Sequence, residues 1–333
     1  MRKFLSYATR LSTGLLALAL VLHTAGEARS ETWRMATKMP PESPEGLVFQ
    51  KFADLAAKYT NGKLEVKVFP SEQLGGTEAV LEQVSAGTVH IYAEDASYLA
   101  KWVPDISYMD GAFIFEDRDH WLRFAKSDLA QGWLAKAEEL SGITQIGEFG
   151  KILRGPYRVI VSKRPIRTLE DLKGVKLRMY DDELAVDIWT HLGAEVRVLG
   201  WTDVYSSIQS GIIEAVTSPV ALVESMKFFE VAPNISRTNE YYQANALLVN
   251  AKAYSALPED VRAGVIRAYD EAAAYSHQVI TADETQARMA AKGVKFMEID
   301  RAPFVERMRE FYEKKSAEGK LPAGFFEAVE AAR

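Results

Sequence analysis

The chain has 333 residues, with no cysteine, a net charge of -6 and a pI near 5.6. Lack of cysteine excludes disulfide scaffolds, thiolate catalysis and cysteine metal sites, and it leaves no lipoprotein attachment point. The acidic balance argues against nucleic acid or anionic lipid as a partner, and about 300 residues suffice for a two-domain hydrophobic core.

Arg2, Lys3 and Arg10 precede an apolar run from Leu11 to Leu22, and small residues follow. This is the pattern of a secretory signal peptide over residues 1–30. Ala28-Arg29-Ser30 places the cut before Glu31, with Gly26/Ala28 as a nearby alternative. A run of about a dozen residues is short of the roughly 20 needed to span a bilayer. Lys, Asp or Glu interrupts every later hydrophobic stretch, so the exported chain is expected to be soluble and periplasmic.

Glu31 to Ala36 reads as a strand, followed by a proline-crowded loop at 38–44. Leu47, Phe49, Phe52, Leu55, Ala56 and Tyr59 have helical spacing, and Asn61-Gly62 ends that pattern. Leu64 to Pro70 alternates as a half-buried strand, residues 77–86 form an amphipathic helix, and Val89 to Ala93 gives another strand. A second unit of the same grammar runs over 156–239. It opens at Val159-Ile160-Val161 and has a capped turn at Thr168 to Gly174 and strands at 175–179 and 196–199. Helices at 182–192 and 203–210 and a strand at Ile212 to Val216 complete it. Two such units predict an α/β protein of two lobes, each with a largely parallel sheet, and a cleft between them. The lobes are expected at 31–155, with part of 240–333 returning to the first, and at 156–239. Pro258 opens a helical pattern reaching Lys292, read as one helix of roughly 50 Å lying across both lobes, against two helices broken near Thr281.

Val66-Lys67-Val68-Phe69-Pro70 with Gln73-Leu74-Gly75-Gly76, and the run Pro165 to Arg178, carry a resemblance that Asp203 to Gly211, Lys227 to Val231 and Leu257-Pro258-Glu259 extend in order. These blocks resemble the solute-binding subunits of tripartite ATP-independent periplasmic (TRAP) transporters. The resemblance implies the two-lobed periplasmic binding-protein fold, with strands crossing a hinge and a long helix supporting both lobes. It also implies capture of a small organic acid for TRAP membrane permease subunits. A binding protein for an ATP-driven importer or a sensor kinase is the nearer alternative.

In that family the arginine of the Lys-x-Arg run pairs with the substrate carboxylate, and Arg178 matches it; a guanidinium fork suits a carboxylate better than an ammonium does. Arg158 matches a second cleft arginine, and Glu94 a glutamate that accepts from ligand hydroxyl or amine groups. Trp201 stands where the family places an aromatic against the ligand, or is a core or rim tryptophan. Lys38 lies in a loop that contributes to the pocket. Ser218 replaces the usual pocket asparagine, and Tyr180-Asp181 departs from a usual proline, so Asp181 joins the candidates. Arg154 and Arg197 read as surface charge. No residue set points to a metal or another cofactor, and His90 and His277 lie too far apart in sequence to suggest catalysis. A non-enzymatic monomer is expected.

Overall fold

The computed structural model describes residues 30–333, apart from the side chains of 282–284. The signal peptide expected at 1–30 therefore lies almost wholly outside the described residues. Twelve strands are described: β1 Glu31–Ala36, β2 Leu64–Phe69, β3 Ile91–Glu94, β4 Ile143–Ile146, β5 Ile152–Leu153, β6 Arg158–Ser162, β7 Lys176–Met179, β8 Glu195–Val198, β9 Ala215–Pro219, β10 Asn234–Arg237, β11 Ala244–Asn250 and β12 Lys295–Glu298. They form two sheets. The first has the order β2-β1-β3-β11-β4, with β5 also on β11, and the second the order β12-β10-β6-β9-β7-β8.

Strand alternation feeds two hydrophobic cores at once. Ala36, Tyr92 and Ile160 point into one core, while Met35, Ile91, Ala93, Val159 and Val161 point into the other. Each core runs through both lobes, on opposite faces of the sheets. Helices cover both faces. The helix Pro44–Tyr59 is capped by Ser43, whose Oγ accepts from the Gly46 amide, and it buries Val48, Phe49, Phe52 and Ala56.

The parallel pairs β1/β2, β1/β3, β7/β8 and β7/β9 follow the expected βαβ grammar. Both sheets are nevertheless mixed, because β11 is antiparallel to β3 and β4, and β6 is antiparallel to β9 and β10. The antiparallel strands adjoin the segments where the chain passes between lobes, at 154–157 and 238–243. The expected strand at 212–216 lies three residues later, as β9. The turn at Thr168 forms as read, with Asp171 Oδ2 accepting from the amides of Arg167 and Thr168.

The single helix expected over 258–292 is instead two helices, Glu259–Val279 and Ala282–Ala291, broken near Thr281 as the alternative reading had it. Ile280 between them leaves the helical region at φ/ψ -95/77°, and Thr281 is extended at -108/144°. Packing accounts for the break. The first helix lies on Pro44–Tyr59 so closely that a Cβ at Gly264 would be 2.7 Å from the Tyr59 carbonyl oxygen. The second lies on the second lobe, where Arg288 meets Glu224 on the helix Val220–Ser225. Ile280 is buried at the joint. The chain then adds β12 to the second sheet and returns through the helices Ala302–Ala317 and Phe325–Ala331 to the first lobe, where Tyr312 Oη donates to Ala112 O at 3.1 Å.

Candidate functional site

Between the lobes, the end of β7, the start of β6, the end of β9 and the crossing segments enclose a small cleft of about 30 Å³. Its cations are Lys38, Arg154, Arg158 and Arg178, and Tyr98, Tyr180, Trp201 and Tyr241 supply its aromatic wall.

Arg178 comes from β7, between β9 and the edge strand β8 of the second sheet, and is 7% exposed. Its Nε donates to Leu199 O at 2.9 Å, and its guanidinium carbon is 5.4 Å from the Trp201 ring centre. Burial holds its pKa below the ordinary arginine value, with no carboxylate in direct contact among the described residues. Trp201 packs edge-on against Phe228 with ring centres 5.2 Å apart. Its buried indole N–H has no hydrogen-bond partner among the described residues.

Arg158 opens β6 and is engaged at three nitrogens. Nε donates to Glu240 Oε1 at 2.9 Å, Nη1 to Gln243 Oε1 at 2.7 Å and Nη2 to Thr217 Oγ1 at 3.0 Å. Its guanidinium also lies 3.9 Å from the Tyr241 ring centre. Arg158 thus ties β6 and β9 to the second crossing segment.

Glu94 ends β3, fully buried. It pairs with Arg154 Nη1 and lies 3.2 Å from Lys38 Nζ. Burial alone would raise its pKa, but Arg154 and Lys38 outweigh burial and hold it below the usual carboxylate value. Lys38 Nζ donates to Tyr98 Oη at 2.7 Å. Burial pulls Lys38 down to about 8, against the raising effect of Glu94. Beside this group Glu45 is fully buried, and neither carboxyl oxygen has a hydrogen-bond partner among the described residues; burial pushes its pKa up to about 7. Asp95 and Asp110 are likewise buried and pushed up. No group of three or more His, Cys, Asp or Glu among the described residues is arranged to hold a metal ion. None of their helices is long and apolar enough to cross a membrane.

The family model for DctP, described as bacterial extracellular solute-binding protein, family 7, matches residues 35–318. The chain belongs to the DctP family. Among its relatives, a solute-binding protein of Sulfitobacter sp. (strain NAS-14.1) is 29% identical over 264 residues, 79% of each chain. The C4-dicarboxylate-binding periplasmic protein of Rhodobacter capsulatus is 27% identical over 283 residues, 84% of this chain and 83% of its own. A TRAP periplasmic solute-binding protein of Roseobacter denitrificans, solved with bound β-D-glucuronate, superimposes with a TM-score of 0.82 at 25% identity, covering 91% of this chain and 100% of that one. One from Sulfurospirillum deleyianum, solved with bound succinate, gives 0.81 at 24% identity, with coverages of 91% and 99%. The two-lobed fold expected from the sequence is therefore the fold of this DctP-family chain, and its role is that of a TRAP solute-binding protein.

Of the residues singled out in the sequence, Arg178, Arg158, Trp201 and Lys38 meet at the cleft. Glu94 does not line it but holds two of its cations. Ser218 is buried with Oγ donating to Pro219 O at 2.9 Å, and its neighbour Thr217 takes the place on the cleft wall. Asp181 is exposed and lines an adjoining surface depression of about 510 Å³ instead. Arg154, read as surface charge, is 7% exposed within the cleft and donates to Asn245 Oδ1 at 3.2 Å as well as pairing with Glu94. Arg197 is exposed, as expected. Glu45, Glu240, Gln243 and Tyr241 were missed. A carboxylate at the start of a helix, or a Glu-x-x-Gln in a connection, carries no signal until the two crossing segments are brought together.

Proposed function

We propose that this protein captures a small organic carboxylate outside the cytoplasm and delivers it to TRAP membrane permease subunits, with Arg178 as the carboxylate anchor. The observation that carries this reading is a buried guanidinium at the cleft with its two terminal nitrogens unclaimed by any carboxylate among the described residues. An uncompensated buried charge is costly, and an acid between the lobes would supply its counter-ion. Trp201 lines the same cleft, and its indole N–H is buried without a hydrogen-bond partner among the described residues. Lys38 and Arg158 shape the cleft, and Glu94 fixes Lys38 and Arg154 in place. Ser218 and Asp181 act at most through their neighbours. Relatives with bound glucuronate and succinate support carboxylates as the ligand class. In the same reading residues 1–30 are a cleaved signal peptide, the protein works as a periplasmic monomer, and it performs no catalysis.

Closure supplies the mechanism. Contacts from both lobes are made to the ligand only when the lobes meet, so its binding energy shifts the population toward the closed form. Arg178→Ala should weaken binding of the captured acid by about 2–5 kcal/mol, the range for removing one partner of a buried charge pair. Isothermal titration of the folded variant checks this, and unchanged affinity would reject Arg178 as the anchor.

A further inference from the structure

The arginines that line the cleft differ in how much of each guanidinium is already used. Arg158 is engaged at all three nitrogens, by Glu240, Gln243 and Thr217. Arg154 is engaged at one. Its contacts to the Glu94 carboxylate and to Asn245 Oδ1, the latter at 3.2 Å, both fall on Nη1. Nε is buried without a hydrogen-bond partner, and Nη2 has none among the described residues. Glu94 is not held by Arg154 alone, because Lys38 Nζ lies 3.2 Å from its other oxygen. A guanidinium carries five N–H donors in a fixed plane, so one engaged at a single nitrogen keeps most of its hydrogen-bonding capacity. In a side chain only 7% exposed, leaving those donors unmatched is costly.

Arg154 directly follows β5, and Asn245 on β11 fixes it there: Asn245 Nδ2 donates to Leu153 O at 2.7 Å while its Oδ1 accepts from Arg154. Its side chain is therefore held by the first sheet, whereas Arg178 stands on β7 of the second. Both line the same cleft. We propose that Arg154 is a specificity-determining ligand contact: while Arg178 holds the carboxylate, Arg154 donates to a second oxygen function of the same acid, an oxo, hydroxyl or further carboxylate oxygen. Oxygenated carboxylic acids are thus preferred over simple aliphatic acids of the same length. An acid held from both sheets also draws the lobes together, and one lacking the second oxygen engages only one of the two arginines. The inference rests on Arg178 being the carboxylate anchor.

Titration calorimetry of the purified protein with butanoate, 2-oxobutanoate, 2-hydroxybutanoate and succinate at neutral pH tests it. At least one oxygenated acid should bind at least about tenfold more tightly than butanoate, the difference expected for a hydrogen bond to a charged donor. Which of the three gains most identifies the second oxygen function. Arg154→Lys keeps a positive charge for Glu94 but replaces the planar fork by a single point of donation, and the preference should shrink to under about threefold. Arg154→Met, shown to be folded by its thermal transition, should abolish it. A merely structural role would weaken butanoate and the oxygenated acids alike, so an unchanged ratio in both variants overturns the assignment. So does butanoate binding as tightly as the best of the others, or failure of all four to bind. If Arg178→Ala weakens every acid while the ratio survives in the Arg154 variants, the anchor stands and Arg154 is not the contact. If Arg178→Ala leaves every affinity unchanged, the anchor falls and this inference with it.

Discussion

Glu45 is the second residue of the helix Pro44–Tyr59, where the helix dipole favours an acid. It is nevertheless sealed from water, with both carboxyl oxygens lacking a hydrogen-bond partner among the described residues. Its pKa rises from 4.5 to about 7 in the folded protein, so the native state holds a proton that the unfolded chain releases. The sign follows from linkage. Native stability is fully present below 4.5 and falls as pH rises toward 7, by an amount on the order of 3 kcal/mol. Gln is a neutral stand-in for the protonated acid. Glu45→Gln should therefore be more stable than the parent by about 2–3 kcal/mol at pH 8, with the difference shrinking to under about 1 kcal/mol near pH 4. Chemical denaturation at the two pH values measures it, and a pH-independent difference would mean that the group is ionised when folded. Residues of this kind are illegible in the sequence, because nothing in Ser-Pro-Glu-Gly distinguishes a solvated first-turn acid from a buried one. Arg178 was legible because its strand and its motif agree. Arg154 was not, since its burial depends on Glu94 and Asn245, separated from it by 60 and 91 residues.

The elements themselves were largely readable where one periodicity dominates, as in Pro44–Tyr59, β2 and the turn after Thr168. Reading failed where tertiary packing decides. The helical pattern beyond Pro258 is continuous in sequence, yet the chain divides at Ile280 because each half packs on a different lobe. Sheet direction was also beyond reach, since strand pattern says nothing about whether a crossing segment returns parallel or antiparallel. Gly264 shows how tightly the first of these helices is held. Alanine has the better helix propensity by about 1 kcal/mol, but its Cβ would stand 2.7 Å from the Tyr59 carbonyl oxygen, on backbone that cannot swing aside. Gly264→Ala should consequently destabilise the protein by about 1–3 kcal/mol, read as a lowered denaturation midpoint. A stabilised variant would show that the helix pair can separate at little cost.

Over the whole molecule, the lobes meet through a few contacts away from the cleft. Ser107 Oγ donates to Asp182, and Thr202 Oγ1 donates to Glu72 Oε2 at 2.8 Å. If these favour the closed form, Ser107→Ala should weaken ligand binding about five-fold, chiefly through faster release, as loss of about 1 kcal/mol in a closing equilibrium requires. Stopped-flow dissociation would detect it; an unchanged release rate would place the controlling contacts elsewhere. The placement of β11 has a further consequence. It lies between β3 and β4 and also receives β5, so the first sheet cannot join its two halves without residues 244–250. A chain emerging N-terminus first, from a ribosome or through a membrane pore, therefore exposes an open sheet edge for most of its synthesis or passage. The first lobe can lock only after the second lobe's strands up to β10 have already appeared. The order of emergence thus delays premature folding, and the protein stays pliable until about three quarters of it is out.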